Sequence, residues 1–255
     1  MQKKKVILII GGHDPTSGAG ISADIETANY FNFHSLSILT CSTIQNTSKV
    51  IKVNDMPKDY IYNCYKEVIK EFKINVIKIG LLPSIKSSKE VFKIINDRRV
   101  KNIPIIMDPI IKSGSNNKLT TYNNLNYIIK NIYPKAKIIT PNIYEYKVLK
   151  KITNNFKEKN FENILITDYE SKGKLLKLKL KKKYLSKDKN FHVKKFNKNF
   201  HGTGCAFSTA IACNIGQKKN IEKSIILSLN YMQKTVSTSN MSGKKQAFLN
   251  RNLQK

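Results

Sequence analysis

The fold class is decided by residues 6–24, which read VILIIGGHDPTSGAGISAD. The first five residues are all apolar, as in a strand that is buried on both faces of a parallel sheet. A glycine-rich loop follows the strand, and apolar spacing from residue 21 to about residue 31 predicts a helix. Ligands of open α/β sheets bind at loops that leave the carboxyl ends of strands. The loop lacks Gly-Lys-Ser/Thr and the dinucleotide glycine spacing, so it is neither a Walker loop nor a Rossmann turn.

Strand and helix patterns keep alternating along the rest of the chain. Further strands are predicted at residues 35–43, 76–79, 103–107, 136–139 and 163–167. Further helices are predicted at residues 57–72, 88–95, 122–132, 204–215 and 221–236. This alternation predicts an α/β fold with a mostly parallel sheet and helices on both of its faces.

Residues 175–196 interrupt the alternation with a strand pattern of period two. Leu176, Leu178 and Leu180 alternate with lysines, which predicts a half-exposed strand whose hairpin partner lies at residues 191–196. The lysine run is interpreted as a small antiparallel, solvated edge of the sheet rather than as a binding patch. The polar tail after Met241 is expected to fray. No linker or repeat marks a boundary, so residues 1–255 are expected to form one domain.

The formal net charge of +29 raises the question of a nucleic-acid-binding function. Of the 46 basic residues only Arg98, Arg99 and Arg251 are arginines, whereas nucleic-acid readers favour arginine for bidentate base contacts and stacking. The lysines are spread through nearly every segment, beside many Asn and Ile residues whose codons are also A/T-rich. We therefore interpret the charge as compositional drift. We expect no sequence-specific nucleic-acid binding, only weak salt-sensitive binding to polyanions.

The cysteines and the apolar segments indicate a cytoplasmic chain. Cys41, Cys64, Cys205 and Cys213 form no C-x-x-C pair and no His/Cys cluster with zinc spacing, as in a reduced protein without disulfides. The apolar run near the amino terminus has only five residues, which is too short for a typical signal peptide. No stretch approaches the ~20 apolar residues that span a bilayer, so no membrane partner is expected.

A candidate phosphate site lies in residues 200–208, FHGTGCAFS, where two glycines flank Thr203 just before a predicted helix. Backbone N–H groups at a helix start lack partners within the helix, and the helix dipole adds partial positive charge. Phosphate is a natural occupant of such a position, and preorganised N–H donors stabilise the charge that develops during phosphoryl transfer. The alternative interpretation is an ordinary tight turn into a helix.

Cys205 falls in the first turn of that helix, where the dipole favours the thiolate. We therefore expect a lowered pKa for its thiol, which would then accept a proton from a substrate hydroxyl. The alternative is a small buried apolar residue, and this is the interpretation given to Cys41, Cys64 and Cys213.

Further positions carry side chains with suitable chemistry. Gln45 follows the second predicted strand, and its amide matches the ring nitrogen and exocyclic amine of an aminopyrimidine; a solvated loop glutamine is the alternative. Asn142 and Glu145 share one side of a predicted helix start, where a carboxylate can hold Mg²⁺ through water. Simple N-capping explains this pair equally well. Asp108 ends a predicted strand, where another ligand can lie.

Taken in order, these segments resemble the hydroxymethylpyrimidine/phosphomethylpyrimidine kinases of thiamine biosynthesis over about residues 6–215. The similar segments are residues 12–24, Gln45-Asn46-Thr47, Lys78-Ile79-Gly80-Leu81-Leu82, Asp108-Pro109, Thr140-Pro141-Asn142 with Glu145, and Gly202-Thr203-Gly204-Cys205. The resemblance implies a ribokinase-like three-layer α/β/α sandwich, ATP with Mg²⁺, and usually a homodimer. It also implies two successive phosphorylations, first of the hydroxymethyl group of 4-amino-5-hydroxymethyl-2-methylpyrimidine and then of the monophosphate.

The resemblance also assigns roles to individual residues of this chain. Around the pyrimidine it places Gln45, Gly12, Asp24 and Leu81. At the nucleotide it places Asn142, Lys112 and Thr167, and at the metal Glu145 and Asp108. The anion hole would be formed by Gly202, Thr203 and Gly204. Cys205 takes the place of the catalytic Asp of many ribokinase-like relatives.

Some positions depart from the family pattern. Ser17 replaces a usual Gly, Leu81 replaces Met, and Thr167-Asp168 stands where Lys-Gly or Gly-Gly is common. The segment 108–114 is also shorter than the common form.

Two alternative functions stay open. The first is a pyridoxal or pyridoxine kinase of the same superfamily, whose substrate also carries a hydroxymethyl group on a flat ring. The second is a degraded kinase that acts as a polyanion-binding protein. Cys205 in place of Asp, together with Gln45, favours the pyrimidine over pyridoxal.

Overall fold

A nine-stranded sheet forms the centre of the computed structural model, which describes residues 4–114, 117–152, 156–184, 187–196 and 198–253. In chain order its strands are β1 (Lys5–His13), β2 (Phe33–Gln45), β3 (Val50–Asp55), β4 (Val76–Ile79), β5 (Ile105–Met107), β6 (Ile138–Ile139), β7 (Asn163–Lys172), β8 (Leu175–Lys182) and β9 (Lys189–Lys194). Their spatial order is β3-β2-β1-β4-β5-β6-β7-β8-β9. The strands from β2 to β7 in that order run parallel, whereas β3, β8 and β9 are antiparallel to their neighbours. The predicted parallel sheet with an antiparallel hairpin is confirmed.

Helices cover both faces of this sheet. They are α1 (Gly20–Tyr30), α2 (Tyr60–Glu71), α3 (Ile85–Ile95), α4 (Tyr122–Asn131), α5 (Ile143–Ile152), α6 (Thr203–Gly216) and α7 (Ile221–Ser237). The side chains of β1 alternate between the two faces, as the pleat of a strand requires. Val6, Leu8 and Ile10 pack with α2 to α5, whereas Ile7 and Ile9 pack with α1, α6 and α7. The result is the three-layer α/β/α sandwich that the alternating pattern and the resemblance predict.

Strand β3 lies at one edge of the sheet and has no counterpart in the sequence-based prediction. Its six residues are half-exposed or exposed, so it shows neither a continuous apolar run nor a buried face. It pairs with the far end of β2, and Gln45 lies opposite Val50. The edge strand therefore extends the sheet beside a predicted substrate residue.

The segment after α7 folds back onto the core instead of fraying. Strand β10 (Phe200–His201) and strand β11 (Ala247–Phe248) form a short parallel pair. Leu249 and Arg251 are buried beyond that pair. The expectation that the tail after Met241 frays is therefore wrong, because isolated apolar residues within a polar segment find their partners far back in the sequence.

Candidate active site

A cavity of about 1090 Å³ opens at the carboxyl ends of the parallel strands. Every candidate residue of the sequence analysis lines it. These residues are Gly12, Asp24, Gln45, Leu81, Asp108, Lys112, Asn142, Glu145, Thr167, Gly202, Thr203, Gly204 and Cys205. The structure thus brings residues from β1, β2, β4, β5, β6 and β7 to one site, at the place where open α/β sheets bind their ligands.

Two glycine-containing loops meet at one wall of the cavity. Gly202, which caps α6, has a φ of +75°, a left-handed conformation that favours glycine. A Cβ atom on Gly202 would collide with the carbonyl oxygen of Gly18, so the loop after β1 lies directly against the start of α6. The first N–H groups of α6 have no partner within the helix, and its dipole makes this end partly positive. The arrangement is suited to binding an anion.

Asp14 and His201 join the same two loops, and the sequence analysis assigned no role to either residue. His201 Nε2 lies 2.7 Å from Asp14 Oδ2, and both side chains are buried. Asp14 also accepts hydrogen bonds from the backbone N–H groups of Thr16 and Ala19, both at 2.9 Å. Burial alone would raise the pKa of the Asp14 carboxyl, but the hydrogen bonds from His201 and Thr16 hold that pKa below its ordinary value. An ionised Asp14 is only an acceptor, so the proton of this contact resides on His201 Nε2.

Behind the loops lies a buried ion pair. Lys78 Nζ is 2.6 Å from Asp24 Oδ2, and Thr209 donates a hydrogen bond of 2.8 Å to Asp24 Oδ1. Burial alone would lower the pKa of the Lys78 ammonium, but the Asp24 carboxylate raises it above its ordinary value. Both oxygens of Asp24 therefore have partners within the chain. Its contact with a pyrimidine stays a prediction.

Cys205 does not have the lowered pKa that its helix position suggested. The residue is buried, and burial raises the pKa of its thiol to about 12. The Lys78 ammonium and a hydrogen bond from the Gly20 backbone act against this rise, whereas Asp24 adds to it. The prediction is wrong because desolvation at this position outweighs the effect of the helix terminus. The free protein carries a neutral thiol here at neutral pH.

The predicted metal residues are buried carboxyl groups. Burial raises the pKa of Asp108 to about 6, and the Ser208 hydroxyl donates a 3.2 Å hydrogen bond to it. Burial and the negative charge of Asp108 raise the pKa of Glu145 to about 8. Burial raises the pKa of both carboxyl groups, and a nearby divalent cation would stabilise their charged forms. Within the described ranges, no group of three or more His, Cys, Asp or Glu side chains is placed to hold a metal ion.

Asn142 and Glu145 also cap α5 reciprocally. The Asn142 backbone N–H donates to Glu145 Oε2 at 2.9 Å, and the Glu145 N–H donates to Asn142 Oδ1 at 2.8 Å. The capping interpretation is confirmed by this geometry, and it holds both side chains at the cavity wall. Thr167 lies next to Asn142 across a parallel bridge, and the Lys112 ammonium is 4.5 Å from the centre of the Tyr144 ring.

The predicted pyrimidine residues Gln45, Gly12 and Leu81 line the cavity at β2, β1 and β4. Gln45 is half-buried at the end of β2, and Leu81 is buried after β4. A Cβ atom on Gly12 would lie 2.8 Å from Cys41 Sγ and 3.3 Å from Leu81 Cδ2. The absence of a side chain at Gly12 therefore leaves the backbone as the surface that a flat ligand would meet.

Solved structures place this fold among the ribokinase-like small-molecule kinases. An ADP complex of Bacillus subtilis pyridoxal kinase superposes with a TM-score of 0.84 at 19% identity, covering 98% of both chains. The phosphomethylpyrimidine kinase of Clostridium difficile 630 superposes with a TM-score of 0.74 at 26% identity, covering 91% of this chain and all of the other. The family model described as phosphomethylpyrimidine kinase matches residues 14–250, and the chain belongs to that family.

Curated relatives agree with this membership. A bifunctional thiamine biosynthesis protein of Methanocaldococcus jannaschii is 34% identical over 224 residues, which is 86% of this chain and 50% of that protein. The hydroxymethylpyrimidine/phosphomethylpyrimidine kinase of Aquifex aeolicus is 26% identical over 254 residues, covering 94% and 97% of the two chains. The chain thus spans about half the length of the first relative and nearly all of the second.

Proposed function

We propose that the chain catalyses ATP-dependent phosphorylation of 4-amino-5-hydroxymethyl-2-methylpyrimidine and then of its monophosphate. The observation that carries this proposal is the order of the residues along the sheet. Gln45, Gly12 and Leu81 lie at β2, β1 and β4, and Asp24 lies on α1 behind them, whereas the metal and nucleotide residues lie at β5, β6 and β7. The acceptor and the nucleotide would therefore occupy neighbouring parts of one cavity, on either side of the boundary between β4 and β5.

Helix α6 contacts both groups of residues. Thr209 binds Asp24 on the pyrimidine side, and Ser208 binds Asp108 on the metal side. Phosphoryl transfer relies mainly on positioning and on stabilisation of charge. We assign the stabilising donors to the N–H groups at Thr203 and Gly204, which have no acceptor within the helix.

We propose that Cys205 contacts the hydroxyl group of the pyrimidine that accepts the phosphoryl group. Because its thiol is neutral in the free protein, we propose that it orients the hydroxymethyl group rather than acting as a preformed base. A residual contribution from proton transfer would require the thiolate, which Lys78 stabilises. Most of the rate enhancement is then supplied by the anion hole and by alignment of the substrates.

Asp108 and Glu145 are the residues that would hold Mg²⁺, with phosphate or water oxygens as its other ligands. When bound, Mg²⁺ neutralises charge on the nucleotide phosphates. Asn142, Lys112 and Thr167 are proposed to bind the nucleotide, because all of them line this part of the cavity.

The proposal extends to the assembly and location of the protein. We propose one kinase domain that forms a homodimer in the cytoplasm and binds no specific nucleic acid. The exposed side chains of Ile44 and Ile51, on β2 and β3 at one edge of the sheet, support a partner copy there. Within the described ranges, no helix has the length and apolar character needed to cross a bilayer.

The proposed function is tested with purified protein, Mg-ATP and the pyrimidine. ADP formation is followed continuously, and mass spectrometry separates the monophosphate from the diphosphate. The controls are reactions without the pyrimidine, reactions without Mg²⁺, and reactions in which pyridoxal replaces the pyrimidine. We expect pyrimidine-dependent ADP formation that exceeds the rate with pyridoxal. Folded protein that leaves the pyrimidine unphosphorylated would refute the proposal, and preferred turnover of pyridoxal would establish the alternative kinase.

A further inference from the structure

Arginine is rare in this chain, and one arginine occupies an unusual position. Among 46 basic residues the arginines are Arg98, Arg99 and Arg251. Arg98 and Arg99 lie exposed in the turn after α3, whereas Arg251 is 5% exposed. Lysine covers nearly all the other cationic positions. A buried arginine in such a chain points to a position where a planar guanidinium is needed.

The guanidinium of Arg251 joins the tail to the loop after β1. Its Nη2 donates to the carbonyl oxygen of Ser17 at 2.6 Å, and its Nη1 donates to that of Gly18 at 3.1 Å. Its Nε donates to Glu26 Oε2 on α1 at 2.7 Å. One rigid fork therefore fixes two successive carbonyl groups and a carboxylate. A lysine side chain carries all of its donors on one nitrogen atom at the end of a flexible stem, so it cannot contact all three acceptors in this planar arrangement.

The two carbonyl groups belong to the part of the loop that touches the anion hole. Ser17 has a φ of +56°, a left-handed conformation that is unfavourable for a residue with a side chain. The oxygen of Gly18 lies 1.9 Å from the position that a Cβ atom of Gly202 would take, so this carbonyl packs directly against the N-cap of α6. Holding Ser17 and Gly18 therefore also holds the N-cap of α6.

We propose that Arg251 is a positioning residue for phosphoryl transfer. It holds the loop of residues 14–20 against the start of α6 before substrates bind, so that the anion hole is preorganised. This inference rests on the proposed function, since the site that Arg251 orders is the proposed phosphate site. Arg251 does not line the cavity in the described part of the chain and acts through Ser17 and Gly18.

The test uses Arg251→Lys and Arg251→Ala, with Arg99→Lys as the matched control. Arg99 pairs with Asp97 at 2.7 Å on the surface. A misaligned site should lower kcat by roughly 10- to 100-fold in both Arg251 variants. The KM for the pyrimidine should change by a smaller factor than kcat, because Gln45 and Leu81 are on other loops and only Gly12 and Asp24 flank the loop that Arg251 holds. Millimolar ethylguanidinium should restore part of kcat to Arg251→Ala, whereas ethylammonium should not.

A second measurement does not depend on turnover. Amide hydrogen exchange at Gly18 and Ala19 in the free protein should be faster in the Arg251 variants and unchanged in Arg99→Lys. Inactive wild-type protein would refute the proposed function but would leave this exchange test intact. Unchanged kcat and unchanged exchange in folded Arg251 variants would overturn the inference.

A third variant covers the case in which Arg251 variants fail to fold. Glu26→Gln keeps Arg251 in the chain and removes only the charge of its Nε partner, which is partly exposed. We expect faster exchange of the same two amides and a kcat lowered about 2- to 5-fold, as for a weakened charge-assisted hydrogen bond. If Glu26→Gln matches wild type in both measurements while the Arg251 variants do not fold, Arg251 is a stability residue and the inference is overturned.

Discussion

Replacing Lys78 by Met would leave the Asp24 carboxylate buried without its cation. The two side chains are 1% and 0% exposed, and their charged atoms are 2.6 Å apart. At an effective dielectric constant of about 20, charges at that distance attract by roughly 6 kcal/mol, part of which offsets the cost of removing both groups from water. The substitution cancels the attraction but keeps the desolvation of Asp24. Removing one partner of a buried pair typically costs about 3–5 kcal/mol of folding free energy.

Two features of the site limit this cost. Thr209 still donates its hydrogen bond to Asp24, and Asp24 can take up a proton. Burial raises the pKa of the Asp24 carboxyl above 3.8, and Lys78 opposes that rise. Without Lys78 the folded protein binds this proton more strongly than the unfolded chain. Stability is then lost as the pH rises from 3.8 through the raised pKa, so the deficit of Lys78→Met should be larger at about pH 8 than at about pH 5.

Urea unfolding followed by circular dichroism measures the effect. Lys177→Met is the matched control, because Lys177 pairs with the exposed Glu170 at 3.4 Å and should cost less than about 1 kcal/mol. We expect Lys78→Met to lose about 3 kcal/mol at about pH 8 without a change in the urea dependence. The double variant Lys78→Met/Asp24→Asn should be less destabilised than the sum of the single variants. Additive losses, or a Lys78→Met protein as stable as the control, would show that the pair is not coupled.

Two further outcomes are expected at the site. Gln45→Ala should raise the KM for the pyrimidine by a factor equivalent to ~1–3 kcal/mol, because a polar face of the ligand loses its partner. The KM for ATP should stay constant, and a rise in the ATP value alone would place Gln45 in the wrong part of the cavity. In native protein at about pH 8, iodoacetamide should modify the half-buried Cys64 but not Cys205, whose burial raises its pKa to about 12. Rapid modification of Cys205, detected by peptide mass spectrometry, would contradict that pKa.

The parallel sheet and its two helical layers follow from patterns visible in the sequence, whereas the order of the strands comes from the structure. The central strands are continuous apolar runs because they are covered on both faces, as Ile7 to Ile10 illustrate. Strand β3 escapes prediction because it lies at an edge, where few of its side chains are buried. Strand β11 was not predicted, because its two residues are too few to show a periodic pattern and because they pair with β10, which lies far back along the chain.

Glycine motifs and polar residues at strand ends located the cavity, since each such end is a candidate ligand position. The long-range pairings around the cavity were not predictable in this way. His201 meets Asp14 across 187 residues, and Arg251 meets Gly18 across 233 residues. The sequence analysis located Cys205 correctly in the first turn of α6 but predicted its pKa wrongly. The pKa depends on how completely the surrounding chain excludes water from the thiol.

Because the tail pairs with β10, one contact at the candidate site can form only late in synthesis. During synthesis the loop after β1 and the start of α6 both leave the ribosome before β11 and Arg251 do. Until that final segment emerges, Ser17 and Gly18 lack the guanidinium that fixes them. A chain that stops before Ala247 would lose the β10–β11 pair, the buried Leu249 side chain and the contact of Arg251 with the loop after β1. A stop codon ahead of residue 247 would therefore leave the loop after β1 without its hydrogen bonds to Arg251.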